Sequence, residues 1–235
     1  MKRVLQIAVS ILLSSLAFAQ APAKTAAPTT AGESLESVLS QMDRAAEKFK
    51  SAQADFEWDQ YQKVVNDTDV QKGTVSFLHE KETQMAAEIT EPDKKTLVFV
   101  NGKLSFYQPK IEQVTEYDAG KNRAEVESFL VLGFGSRGHD LSKQFVVKYL
   151  GRETVDGVKT AKLELTPLTP KVRNMFSKII LWVDTDKDVS VKQQAFEPAG
   201  DYRIAKYSNI KVNPKLPDDT FKLKTTNRTK VVRPQ

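Results

Sequence analysis

Near residue 52 the spacing of apolar residues changes from 3.6 to 2, and from there to about residue 211 the chain reads as one strand after another. Turn residues punctuate the alternation at Asn66-Asp67-Thr68-Asp69, Glu91-Pro92-Asp93, Asn101-Gly102, Asp156-Gly157, Asp184 to Asp188 and Pro198-Ala199-Gly200-Asp201. About ten strands fit between these turns, and connections this short make hairpins, so the sheet is antiparallel. One hairpin is legible to the residue. Asn101-Gly102 is the strongest two-residue turn signal, and it pairs Val100 with Lys103, Phe99 with Leu104, Val98 with Ser105 and Leu97 with Phe106. Leu97, Phe99, Leu104 and Phe106 then share one face, and Val98, Val100, Lys103, Ser105 and Tyr107 share the other. Met85, Ala87 and Ile89 continue the apolar face on the preceding strand.

Before the strands, Leu35, Val38, Leu39, Met42, Ala45, Ala46 and Phe49 recur at helical spacing and predict an amphipathic helix. The sheet is interrupted once, between Asn122 and Phe145. There Ala124 to Leu132 reads as a short helix ended by Gly133 and Gly135, and Asp140 to Lys143 as a further helical turn. The chain begins as exported proteins do. Lys2 and Arg3 precede an apolar run, Val4 to Phe18, shorter than the ~20 residues that span a bilayer. Ala17-Phe18-Ala19 forms an A-x-A cleavage site, so residues 1–19 are expected to be removed on export to the periplasm. Residues 20–33, rich in Ala, Pro and Thr, read as a flexible tether, and residues 34–235 as a single domain. With no cysteine, that domain relies on its core alone. Loss of the leader lowers the formal net charge from +5 to +3, a mild excess that does not point to nucleic acid. The basic C-terminal run, Phe221 to Gln235, reads as a solvated final strand and tail.

Catalytic and metal motifs fail on inspection. Gly133-Phe134-Gly135-Ser136-Arg137-Gly138 matches G-x-G-x-x-G, but it lacks the preceding strand and parallel βαβ unit that a dinucleotide site requires. The same stretch misses a nucleophile elbow because Phe134 occupies the first glycine position, although His139 lies close to Ser136 in sequence. A glycine-rich hinge is the simpler reading. Asp184-Thr185-Asp186-Lys187-Asp188 opens like a calcium loop, yet the required Gly and Glu are Val189 and Ala195. With only His79 and His139 and no cysteine, no zinc site is expected, and no cofactor is.

A one-layer sheet with a bulky apolar face must be covered. The N-terminal helix and the 122–145 insert are the available covers. Tight packing gives an ordinary α+β core, and a stand-off leaves a cavity; the residues alone leave both open. Phe129, Leu130, Val131, Leu132 and Phe134 are too continuous to face one way on a helix, which favours a movable lid.

The order of elements resembles the LolA family, the periplasmic carriers of outer-membrane lipoproteins. The resemblance runs through Phe56-Glu57-Trp58-Asp59-Gln60, Gly73-Thr74-Val75, Glu91-Pro92-Asp93, Asn101-Gly102-Lys103, Phe106-Tyr107-Gln108-Pro109 and Ile111-Glu112-Gln113. It continues through Ser128-Phe129-Leu130-Val131-Leu132 and Leu163-Glu164-Leu165-Thr166-Pro167. It implies an incomplete antiparallel β-barrel of about 10–11 strands, closed by helices over an apolar cavity for acyl chains. Phe56, Trp58, Met85, Ile89, Leu97, Phe99, Leu104 and Phe106 would line that cavity, with Phe129, Leu130, Leu132 and Phe134 on the lid. It further implies a monomeric, non-enzymatic carrier with an inner-membrane donor and an outer-membrane acceptor. The rivals are a lipid-sensing or envelope-stress module of the same fold and an esterase-like enzyme. One departure stands out. Where the better-known carriers place a lid-holding Arg-Pro, this chain has Leu78-His79-Glu80-Lys81-Glu82-Thr83, two residues longer, with Lys81 as the nearest cation.

Overall fold

The alternating stretches become twelve strands of one open sheet in the computed structural model, which describes residues 33–80, 82–120, 123–130 and 132–234. The expected signal segment, the expected tether up to Gly32, Lys81, Val131 and the Phe129 side chain lie outside the described residues. In chain order the strands are β1 (Ser51–Gln62), β2 (Asp67–His79), β3 (Thr83–Glu91), β4 (Lys95–Val100), β5 (Lys103–Gln108), β6 (Gln113–Asp118), β7 (Phe145–Val155), β8 (Val158–Pro167), β9 (Lys178–Asp184), β10 (Val189–Phe196), β11 (Tyr202–Val212) and β12 (Lys230–Val232). They lie in the order β12-β6-β5-β4-β3-β2-β1-β11-β10-β9-β8-β7. Sequence neighbours pair as hairpins, and β1 meets β11 to join the two halves antiparallel. The sheet does not close, which makes it an incomplete barrel.

The Asn101-Gly102 turn has positive φ at both residues, 53° and 73°, and the β4–β5 register is the one the turn predicts, from Val100↔Lys103 to Leu97↔Phe106. Inner-face residues then run across neighbouring strands: Phe99 opposite Met85, Met85 opposite Phe77, and Phe77 opposite Ala52. Helix α1 (Leu35–Ala46) is capped by Ser34, whose side chain accepts from the Ser37 amide. It buries Val38 and Met42 in one core cluster with Leu163, Leu165, Leu181 and Val183. The helix stops three residues short of Phe49. That ring instead enters a second cluster with Phe56, Phe77, Met85, Phe99 and Phe134. Glu33, at the end of the expected tether, is held in place: it pairs with Arg152 and accepts from the Tyr149 hydroxyl at 2.7 Å. The Arg152 guanidinium keeps the Glu33 carboxyl below its ordinary range.

Three helices complete the described fold: α2 (Arg123–Leu130), α3 (Gly138–Gln144) and α4 (Pro170–Met175). The last was missed in the sequence. Its signals are local, a Thr169 cap and Pro170 in the first turn, within a stretch too short to show periodicity. β12 is the expected final strand, exposed at all three residues, and it pairs in parallel with β6. A parallel neighbour requires a crossover, and residues 213–229 supply it along the outer face. Pro217, Thr220 and Lys222 share a groove there with Ser76, Ala86 and Thr96. Arg228 and Arg233 tie the end of the crossover to Glu112 and Glu116. The C-terminal run is thus a strap across the sheet rather than a free tail. On the face opposite the Phe99 side, Val98, Tyr107 and Val114 are each 5% exposed or less.

Candidate functional site

A cavity of about 380 Å³ opens on the inner face between the two core clusters. Trp58 of β1, Ile89 of β3, Leu97 of β4 and Phe106 of β5 form one wall. Phe176, which follows α4, faces them with Ile179 of β9 and Ala195 of β10, and Leu132 reaches in from the lid segment. Trp58 stacks on Phe56, with ring centroids 4.2 Å apart, because residues two apart on a strand share a face. Tyr207 of β11 closes the base. Burial raises its phenol far above the ordinary value, against an opposing hydrogen bond with Trp58, so the hydroxyl stays protonated.

The eight expected lining residues divide. Trp58, Ile89, Leu97 and Phe106 border the cavity. Phe56, Met85 and Phe99 are buried in the core at 3%, 5% and 0% exposure, and Leu104 packs against the same cluster. Phe176, Ile179, Ala195 and Tyr207 were not singled out in the sequence. They lie on the far half of the barrel, and what brings them to Trp58 is the β1–β11 pairing, which spans some 150 residues of chain and leaves no local signal.

The expected lid also divides. Leu130 and Val126 of α2 pack on the second core cluster, and Leu132 caps the cavity. Phe134 does not belong to a mobile cover. It is 1% exposed, stacks on Phe77 at 4.3 Å and meets Tyr207 edge-on at 4.9 Å. Its backbone bridges to Val189, the Gly135 amide donates to the Asp188 carbonyl, and the Ser190 amide donates to the Gly133 carbonyl. Gly133 and Gly135 are therefore not a hinge. A Cβ would collide with Ser190 at the first and with the Phe49 ring at the second. Gln193 fastens Leu132 as well, donating to its carbonyl at 2.7 Å.

Arg123 answers for the missing strand arginine. It lies on α2 itself and pairs with Glu127 at 2.6 Å and with Glu82, in the β2–β3 connection, at 3.4 Å. The cation thus sits on α2 and the acid in the turn between β2 and β3. Because the Arg123–Glu82 pair is exposed, it adds little to fold stability, and a latch role for it on α2 is an expectation to test. Arg123→Glu is expected to speed release of a bound acyl probe several-fold in stopped-flow dilution, without shifting the melting temperature. An unchanged release rate would remove the latch role.

Beneath the anchored segment, α1 and α3 are joined by His139, whose ring contacts Asp43 and Glu36. Asp43 first and Glu36 second raise the imidazole pKa. Behind them lies Asp188, fully buried, with neither carboxylate oxygen hydrogen-bonded. Burial, reinforced by the Asp43 charge, lifts its pKa to about 8.

Comparison with known proteins places this geometry. A family model described as outer membrane lipoprotein carrier protein LolA matches residues 47–224. No curated protein sequence matches the chain significantly. An uncharacterized conserved protein from Thermus thermophilus is similar in structure, with a TM-score of 0.56 and 12% identity over 85% of this chain and 98% of its own. A chain of the Pseudomonas aeruginosa MucA/MucB complex is similar with a TM-score of 0.50 and 13% identity, covering 81% of this chain and 61% of that one. At such identities the likeness is one of fold.

Proposed function

Because this chain belongs to the LolA family of outer-membrane lipoprotein carriers, we propose that it is a periplasmic carrier that shelters acyl chains in the cavity bounded by Trp58, Leu97 and Phe106 and releases them toward the outer membrane. The observation that carries the reading is that cavity: walled by aromatic and aliphatic side chains along one side, on the inner face of an unclosed barrel, with Leu132 of the insert reaching into it. The physical need is plain. At ~0.8 kcal/mol per methylene, one sixteen-carbon chain loses about 13 kcal/mol on entering water. A carrier must offset most of that and still let go. A half-buried aromatic wall does this better than a closed core. The reaction is transfer, with no bond made or broken, so the protein is not an enzyme.

Mass spectrometry of lipids and lipopeptides extracted from protein purified out of its native periplasm tests the proposal directly. Acyl-bearing cargo is expected, and an empty extract together with no binding of a fluorescent acyl probe by delipidated protein would end it. A regulatory module that binds lipid without passing it on is the second reading, since one fold serves several functions and a chain of similar fold occurs in a complex with a second protein. Transfer of probe from loaded protein to acceptor vesicles separates the two. Export is part of the proposal. Intact mass of periplasmic material is expected to show a chain beginning at Gln20, and an uncut leader in the membrane fraction would contradict it. Among the described residues no helix is long and apolar enough to cross a membrane.

A further inference from the structure

The cavity is apolar at one end only. Trp58 pairs with Ala205, and one inward-facing step closer to the β1–β2 tip Gln60 pairs with Arg203. Gln60, Gln71, Gln193 and Arg203 border the cavity together with Asp59, whose carboxylate is paired with Lys206 at 3.0 Å, so polar groups stand beside the aromatic wall. Arg203 is half exposed and pairs with Glu197 through one terminal nitrogen, Nη2, at 2.9 Å. A guanidinium carries five donors in a planar fork suited to two-pronged contact with a carboxylate or phosphate. Among the described residues Arg203 pairs with Glu197 alone, which leaves most of that fork for a ligand at the mouth.

Size adds a second constraint. An apolar cavity of ~150 Å³ holds one benzene. By that measure about 380 Å³ accommodates roughly fifteen carbons, which is one long acyl chain rather than two or three. We propose that the cavity selects a lipid with a single acyl chain and one anionic head group, the chain lying against Trp58, Ile89, Leu97 and Phe106 and the head group held by Arg203. This rests on the carrier reading and narrows its cargo. The shared chemistry covers a fatty-acid carboxylate and a lysophospholipid phosphate.

The test is displacement of a fluorescent acyl probe from delipidated protein by competitors with the same fourteen-carbon chain. They are myristate, tetradecanol, myristoyl lysophosphatidylglycerol and the two-chain dimyristoyl phosphatidylglycerol. Myristate or the lysolipid is expected to displace at least about tenfold better than tetradecanol, a margin of ~1.4 kcal/mol. Preference for the first identifies a free fatty acid, and for the second a lysophospholipid. Arg203→Gln is expected to abolish that margin while leaving displacement by tetradecanol unchanged, and Arg203→Lys to keep part of it. Glu197→Gln, which frees the fork, is expected to widen it. Melting curves of each variant establish that the fold is kept. Equal displacement by myristate and tetradecanol in the wild type, a margin that survives Arg203→Gln, or equally strong displacement by the two-chain lipid overturns the inference and leaves the carrier reading standing. Failure of the wild type to bind the probe removes both.

Discussion

Phe106→Glu is expected to abolish acyl-probe binding by a protein that remains folded, whereas Phe99→Glu is expected to prevent folding. The two residues share a face of the β4–β5 hairpin and an aromatic side chain, and they differ in what lies opposite. Phe106 is half-buried and borders the cavity, so a carboxylate there stays partly hydrated while repelling an apolar ligand. Phe99 is 0% exposed within the cluster that contains Phe77, Met85 and Phe134. Truncating such a phenylalanine costs ~3–5 kcal/mol. An unpaired buried charge costs more, which exceeds what a domain stable by ~5–15 kcal/mol tolerates comfortably. Circular dichroism and probe binding measured together decide the matter. If both variants fold and both fail to bind, Phe99 belongs to the cavity wall. If Phe106→Glu binds normally, the cavity is not the acyl site.

The second large effect is a dependence of stability on pH that one substitution removes. In the folded chain Asp188 keeps its proton to about pH 8, and in the unfolded chain it titrates near the ordinary aspartate value of 3.8. Between those values the folded state binds the extra proton. Stability is therefore full at the acid end of the window and falls as pH rises, by up to ~1.4 kcal/mol per unit. From pH 5 to 8 the loss reaches about 4 kcal/mol. His139, whose pKa is also raised, acts in the same direction above its unfolded value of 6.5, though it is exposed and its share is small. The depressed carboxylates Glu33 and Asp43 act oppositely, but at the acid end, where their stabilisation is lost as they protonate. Asp188→Asn keeps the shape and removes the titration. Urea midpoints of the variant are expected to match the wild type near pH 5 and to exceed it clearly at pH 8. Parallel curves for the two proteins would show that Asp188 is paired or hydrated in solution. The consequence reaches the anchored segment around Phe134, because the Asp188 carbonyl holds Gly135 and the next residue bridges to Phe134.

Much of this architecture is determined within short stretches of chain. A period of two and an Asn-Gly pair are enough to set the β4–β5 register, because side-chain alternation and turn geometry are local properties of the backbone. The Ser34 cap and the Val38, Leu39, Met42 stripe likewise specify α1. The ordered motifs, each weak by itself, identify the family. Tertiary structure alone decided which inner-face residues are core and which are cavity wall, since alternation assigns a face and not an opposite partner. Phe134 became a fixed plug because Phe77, Tyr207 and Val189 surround it, none of them near it in sequence. The outer face around Ser76, Ala86 and Thr96 is bordered by a basic strap more than a hundred residues later, which ends in a parallel strand. The Gln60–Arg203 pair at the cavity mouth exists only because β1 and β11 meet. Polar residues in alternating strands read as solvent-facing, and only closure of one half of the barrel against the other turns them inward.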